Sequence, residues 1–410
     1  MRIDTGRLAT RLTLLTGAAA ATLCGFAGTA VAAQPVAPTG VILDAGSADA
    51  IANSYIVVLE PGAEGVGPAS IRLLRRYGGQ VATTYAAVRG FHARMTAGQA
   101  AHLAADPSVR YVEQDAAVDV AATTATPTWG LDRIDQRSLP LSKSYSGPSA
   151  AGVTAYVIDS GIRITHKEFG GRASSGWDFV DDDADADDCK GHGTHVAGTI
   201  GGATYGVAKN VKLVSVRVLD CKGSGSYSSI MAGVDWVTKH AAKPAVANMS
   251  LGGTSSNSKA LDEAVERSIA GGVTYVVAAG NDHQNACRQT PAHIGNAITV
   301  GATDSKDTRA SFSNFGSCLD IFAPGVRIVS AGMSSNTATQ TMSGTSMASP
   351  HVAGVAALVL AGHPAWTPAQ VRDDLVGHAG TGLVRSAGTG SPNKLLYTGH
   401  LTGAGSAKGQ

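Results

Sequence analysis

Five near-continuous apolar runs, at residues 153–158, 211–219, 245–249, 273–279 and 297–300, set the narrowest limit on what this chain can fold into. A strand written as an unbroken apolar run, with no polar alternation, is buried on both faces, as in the parallel sheets of α/β proteins. Segments with helical character separate the runs, at 192–200, 227–240, 257–270 and 346–361. The alternation predicts an α/β domain built on a doubly wound, mostly parallel sheet. Such sheets bind their ligands outside the carboxyl ends of the strands.

A smaller pattern precedes this domain. Residues 54–59, 80–88 and 91–95 read as strands and 71–77 as a short helix. Thr96 opens a second helix through a Thr-x-x-Gln capping box, Asp106-Pro107 stops it, and 109–113 forms the last strand. The order βαββαβ is that of a small α+β, ferredoxin-like module. Residues 115–127 are rich in Ala and Thr, show no apolar period, and read as an exposed linker.

At the start, Arg2, Arg7 and Arg11 precede an apolar run at 12–33 that ends in Ala30-Val31-Ala32-Ala33, the layout of a secretory signal peptide. Thr and Gly interrupt the run, which argues against a membrane anchor. The expected division is a signal peptide at 1–33, the small module at 34–121 and the large domain at 122–410. With 32 Lys+Arg against 31 Asp+Glu the net charge is only +1, so no basic surface exists for nucleic acid or an anionic membrane. Export places Cys189, Cys221, Cys287 and Cys318 in an oxidising compartment, where four cysteines permit three connectivities. The short separations from 189 to 221 and from 287 to 318 favour two local bridges. No CxxC or HExxH accompanies them, which disfavours a zinc site.

Four motifs carry chemistry. Asp159 directly follows the first large-domain strand, His192 opens a helix in Gly-His-Gly-Thr-His, and Ser346 opens another in Ser-Gly-Thr-Ser-Met-Ala. Nucleophilic acyl transfer needs a hydroxyl, an imidazole to take its proton, and a carboxylate to orient that imidazole. Asn281, after a fourth strand, adds an amide donor for an oxyanion. Each residue alone has a plainer reading as a cap, a turn or a packed core group, and a lone Ser at a helix start is usually an N-cap. All four together, in the order Asp, His, Asn, Ser, are specific. An α/β-hydrolase would run Ser, acid, His along the chain. His195 and His351 are expected to pack structurally. Gly223-Ser-Gly-Ser lacks the third glycine and the acidic partner of a dinucleotide loop.

These motifs resemble those of the subtilisin-like serine proteases, in detail the proteinase K and aqualysin branch, from Trp129 to about residue 397. The small module resembles the inhibitory propeptide of the same family. The resemblance implies that Asp159 is the triad acid, His192 the base, Ser346 the nucleophile and Asn281 the oxyanion donor of a broad-specificity endopeptidase. It places Gly223 and Gly225 at one edge of the substrate cleft, and Ser250, Leu251, Gly252, Ala278, Ala279 and Gly280 around the specificity pocket. Those walls are small and uncharged, so apolar or aromatic side chains are preferred, and the extended substrate is expected to add as a strand along residues 250–252. The cysteine pairing resembles that of the aqualysin-like members. Structural Ca²⁺ is implied at Asp320 with the carbonyls of Gly295 and Ala297, and at Asp132, Asp135 and Gln136, with a partial match in the acidic run 181–188. The partners implied are protein and peptide substrates and the chain's own propeptide, on a monomer cut between Ala121 and Ala122.

Overall fold

In the computed structural model, residues 39–45, 50–62, 64–119, 129–253 and 257–402 are described. The expected signal segment, Ala121, Ala122 and residues 403–410 lie outside them.

The small module comprises β1 (Ile42–Leu43), β2 (Ala50–Leu59), α1 (Val66–Tyr77), β3 (Gln80–Tyr85), β4 (Gly90–Arg94), α2 (Ala97–Ala104) and β5 (Val109–Asp119). Its strands lie in the order β1-β5-β2-β4-β3. Thr96 caps α2 with the box expected of it, Gln99 N–H to Thr96 and Thr96 N–H to Gln99. The apolar run in β2 is read two ways at once. Tyr55, Val57 and Leu59 face α1 and α2, whereas Ile56 and Val58 join a core shared with the large domain. That sharing explains why both faces of an antiparallel strand are apolar. The expected linker is corrected at its start: residues 115–119 continue β5, because 117–119 pair with the large domain and the buried Asp115 caps one of its helices.

The large domain comprises α3 (Trp129–Ile134), β6 (Thr154–Asp159), β7 (Ala173–Asp178), α4 (His192–Gly201), β8 (Lys212–Arg217), β9 (Ser224–Ser226), α5 (Tyr227–His240) and β10 (Ala245–Met249). After these come α6 (Lys259–Ala270), β11 (Val273–Ala278), β12 (Ile298–Thr303), β13 (Ile321–Pro324), the hairpin β14 (Ile328–Ala331) and β15 (Thr339–Met342), α7 (Thr345–Gly362) and α8 (Pro368–His378). The short β16 (Gly380–Thr381), β17 (Lys394–Leu395) and α9 (Gly399–Thr402) end the described chain. The main sheet runs β16-β17-β13-β12-β11-β10-β6-β8-β7, and every pair from β13 to β7 is parallel. One core packs α4 and α7 on one face, and a second packs α5 and α6 on the other. The helix α7 is long and apolar enough to cross a membrane, but 89% of it is buried inside the protein, so its hydropathy is that of a central core helix.

The sheet grows from β6 first toward β8 and β7, then on the opposite side toward β10 and β11. Adjacent connections therefore diverge at the carboxyl ends of β6 and β10, which opens a crevice there.

Candidate active site

Asp159 ends β6 at that crevice. Its Oδ1 accepts from His192 Nδ1 at 2.7 Å and from the Ser160 N–H at 2.7 Å, with both side chains buried. His192 is the first residue of α4, and two glycines let it sit there. Gly191 has φ +93°, and a Cβ on Gly193 would lie 2.1 Å from the Gly161 carbonyl oxygen. Asp188 fixes the start of the same helix. Its Oδ1 accepts from the Lys190 and Gly191 N–H groups at 2.9 and 2.8 Å, and its Oδ2 accepts from the Thr194 N–H and hydroxyl at 2.9 and 2.6 Å. Burial nonetheless raises the Asp188 pKa. Ser160 joins the acid to this cap, donating to Asp188 Oδ1 at 2.9 Å and accepting from the Gly193 N–H at 3.0 Å.

Ser346 lies in the first turn of α7, which packs against α4. Its hydroxyl donates to the Ser250 carbonyl at 3.1 Å, while the Ser250 hydroxyl donates back to the Ser346 carbonyl at 2.9 Å. Asn248 and Ser349 hold that pair in place, through bonds of 2.9 Å to Ser250 Oγ and 2.7 Å between themselves. His192 Nε2 is buried and has no hydrogen-bond partner among the described residues. The imidazole thus keeps a nitrogen free to take a proton, and catalytic hydrogen bonds often tighten only once substrate is bound.

Asn281 follows β11. Its Oδ1 accepts from the Thr345 N–H at 2.8 Å and the Thr345 hydroxyl at 3.0 Å, which leaves Nδ2 as the end free to donate. The Ser346 N–H, in the first turn of α7, has no intrahelical acceptor. A side-chain amide and a helix N-terminal N–H are suitable donors for a developing oxyanion.

The small module lies along one wall of the crevice. Its strand β5 adds antiparallel to β9, with Ala117, Val118 and Asp119 opposite Ser226, Gly225 and Ser224. Gly225 is thus a pairing residue and Gly223, at φ +87°, turns the chain before it. Ser250 and Leu251 are buried after β10, while Ala278 ends β11 and Ala279 and Gly280 follow it, where Gly280 N–H donates to Thr345 Oγ1 at 3.1 Å. Two carboxylates of β5 then cap helices of the large domain. Glu113 accepts from the Ala260 N–H of α6 at 2.8 Å, and Asp115 accepts from the Ser228 N–H and hydroxyl of α5 at 3.1 and 2.7 Å. Both use the positive end of a helix, where a carboxylate is stabilised.

Cys189 bonds to Cys221 and Cys287 to Cys318, as the separations favoured. Around Asp132 the donors suit a hard cation. Asp132 Oδ1 and Gln136 Oε1 both accept from the Ser142 N–H at 2.9 Å, and Asp135 accepts from the Ser146 N–H at 2.9 Å. Burial and the neighbouring Asp132 charge raise the Asp135 pKa, and neither carboxylate has an ion-pair partner among the described residues. The Asp320 set does not fit an ion as it stands. Arg372 Nη1 donates to the Gly295 carbonyl at 2.6 Å, and Arg372 Nε lies 3.9 Å from Asp320 Oδ1, so a guanidinium holds the place between them. Ala297, the third member, is buried. In the acidic run, Asp181 pairs with Arg217 at 2.7 Å and Asp188 is the α4 cap already described. His195 and His351 are buried and bond the Ile328 and Met347 carbonyls at 2.9 and 2.8 Å, with pKa values that burial lowers to about 3 and about 4.

Sequence reasoning missed Thr345, which aims Asn281, and the capping roles of Asp188, Glu113 and Asp115. The only signal for Asp188 is its place four residues before His192; nothing local marks the other three.

A family model described as the Subtilase family matches residues 150–396, and one described as Peptidase inhibitor I9 matches residues 54–121. The extracellular serine proteinase of Thermus sp. (strain Rt41A) is 54% identical over 345 residues, covering 83% of this chain and 84% of that protein. The alkaline serine exoprotease A of Vibrio alginolyticus is 51% identical over 367 residues, 85% of this chain and 68% of that protein. The crystal structure of a cold adapted subtilisin-like serine proteinase superposes with a TM-score of 0.64 at 56% identity, covering 66% of this chain and 97% of that one.

Proposed function

The chain belongs to the subtilase family of serine proteinases, and on that premise we propose that it is a secreted endopeptidase of broad specificity, made as a self-cleaving zymogen. The buried Asp159–His192 hydrogen bond of 2.7 Å, with Nε2 left free, is the observation that carries the mechanism. As Ser346 Oγ attacks the scissile carbonyl carbon, its proton passes to His192 Nε2, and Asp159 holds the resulting imidazolium in its tautomer. Asn281 Nδ2 and the Ser346 N–H stabilise the oxyanion. Collapse expels the amine with the proton from Nε2, and water releases the acyl group from Ser346 by the same exchange in reverse.

Residues 1–33 serve as the signal, 34–121 as an inhibitory and folding-assisting propeptide, and 122–410 as the peptidase. The pairing of β5 with β9 supports inhibition by strand addition, a mode that reads main chain more than side chain. The small, uncharged segments at 250–252 and 278–280 favour apolar or aromatic residues before the cut. Asp132, Asp135 and Gln136 would hold a structural calcium ion, which takes no part in the chemistry.

Steady-state kinetics on a chromogenic peptide test the assignment. Ser346→Ala is expected to lower kcat by about 10⁶, the loss known for subtilisin, a member of this family. Asn281→Ala is expected to cost on the order of 10² to 10³, again the magnitude known for subtilisin. Near-normal turnover by Ser346→Ala overturns the mechanism.

A further inference from the structure

We propose that Asp374, His378 and His400 form a binding site for one divalent transition-metal ion, Zn²⁺ in the first instance, which ties the chain's last described helix to α8. Asp374 and His378 stand four residues apart on α8 and so share one face of it. His400, on α9, reaches the same carboxylate from the other side. Its Nε2 lies 3.0 Å from Asp374 Oδ2, and His378 Nδ1 lies 3.1 Å from Asp374 Oδ1. The two imidazoles stack at 4.0 Å with planes 7° apart beside this carboxylate, and His378 Nδ1 also lies 3.0 Å from the Asp374 main-chain carbonyl, a contact it gives up on binding metal. The three ligand atoms lie within 4.8 Å of one another.

Charge supplies the second argument. The Asp374 side chain is only 13% exposed, yet no Lys or Arg pairs with it among the described residues. Arg137 comes close but is committed elsewhere, donating to the His378 carbonyl at 3.1 Å and lying 3.9 Å over the Tyr397 ring. The carboxylate therefore faces two imidazoles and no fixed cation, and a divalent ion supplies the missing positive charge.

The donor set selects the ion. Two imidazole nitrogens and one carboxylate oxygen suit Zn²⁺ and its transition-series neighbours, whereas Ca²⁺ takes oxygen ligands throughout. Metal bonds of about 2.0 to 2.2 Å place adjacent ligand atoms roughly 3.0 to 3.5 Å apart, and each imidazole nitrogen lies at such a distance from the carboxylate, His378 from Oδ1 and His400 from Oδ2. Ligands on parallel rings do not converge on one point, so coordination turns one ring out of the stack. His378 is exposed and has room to do so. Three protein ligands leave a further position for water. The site shares no residue with the proposed triad and does not depend on it.

The test uses the mature enzyme, blocked by an organophosphonate to prevent autolysis and held in excess Ca²⁺ so that oxygen sites are filled. Titration with Co²⁺ is expected to give a saturable visible absorption at one ion per chain, displaced by Zn²⁺, and Zn²⁺ is expected to raise the thermal midpoint. His378→Ala and His400→Ala should each weaken binding by at least about tenfold, as loss of a direct ligand costs no less than loss of a supporting one. His378 is exposed, so its variant folds whatever becomes of the other. No saturable Co²⁺ or Zn²⁺ uptake up to ~1 mM overturns the proposal. So does wild-type affinity retained by either variant.

Discussion

Release of the small module is expected to speed up as pH rises, through Glu113. This residue is buried at the start of α6, where it accepts the Ala260 N–H at 2.8 Å, and its other oxygen has no partner among the described residues. Burial pushes its pKa from 4.5 up to about 8, against the lowering effect of hydrogen bonding by Ser258 and Ala260. Once the module leaves, the carboxyl returns to water and to its ordinary value. The complex thus holds the proton more tightly than the separated parts do, so this contribution is fully present below pH 4.5 and is lost as pH rises through about 8. Between pH 6 and 8.5 affinity should fall by on the order of 10- to 100-fold. The assay starts from the cleaved, inhibited full chain at pH 6, jumps samples to pH 6–9, and follows recovered activity at one fixed pH. Glu113→Gln keeps an acceptor for Ala260 but does not titrate, so its dependence on pH should flatten. A wild-type release that is independent of pH, or an equal slope in Glu113→Gln, refutes the reasoning.

Other outcomes follow from the same contacts. Arg372→Ala frees the Gly295 carbonyl and Asp320, so Ca²⁺ should stabilise it more than the wild type, by about 2.7 kcal/mol at 100 times Kd, read as a larger rise in thermal midpoint; an unchanged response refutes the guanidinium as the ion's substitute. Replacing Cys189 and Cys221 by Ser removes a bridge across a separation of 32 residues, for which chain entropy gives about 3 to 4 kcal/mol; denaturant unfolding measures it, and a loss near zero contradicts it. Ser346→Ala made in a protease-deficient host should accumulate as a precursor beginning near Gln34, while wild type begins at Ala122. Intact mass distinguishes them, and a matured Ser346→Ala protein shows the cut to be made by something else.

The parts of the fold that could be read locally are those whose burial is written locally. The strands β6, β10 and β11 are covered on both faces, so apolar runs mark them almost to the residue. By contrast β7, Ala-Ser-Ser-Gly-Trp-Asp, is an edge strand with little to bury, and β13 spans only four residues ending in Pro324. Helix α8 carries little amphipathic signal, although Thr367-Pro368-Ala369-Gln370 holds a capping box that would have revealed its start. The site divides the same way. Asp159, His192, Asn281 and Ser346 sit in glycine-rich motifs at element ends, which made them visible. Glu113 and Asp115 were not, because the helices they cap lie more than 100 residues further on, and only the fold joins a strand of one module to helix ends in another. Arg372 was hidden for the same reason: its partners at 295 and 320 are remote in sequence.

The most direct test of the catalytic account is where an organophosphonate attaches. Such a reagent bonds only to a serine made nucleophilic by its surroundings, and peptide mass mapping locates the adduct. A single adduct on Ser346 is predicted, formed rapidly by the wild type and lost in His192→Ala, whose base is gone. An adduct elsewhere, an unlabelled Ser346, or labelling of His192→Ala at the wild-type rate would contradict it.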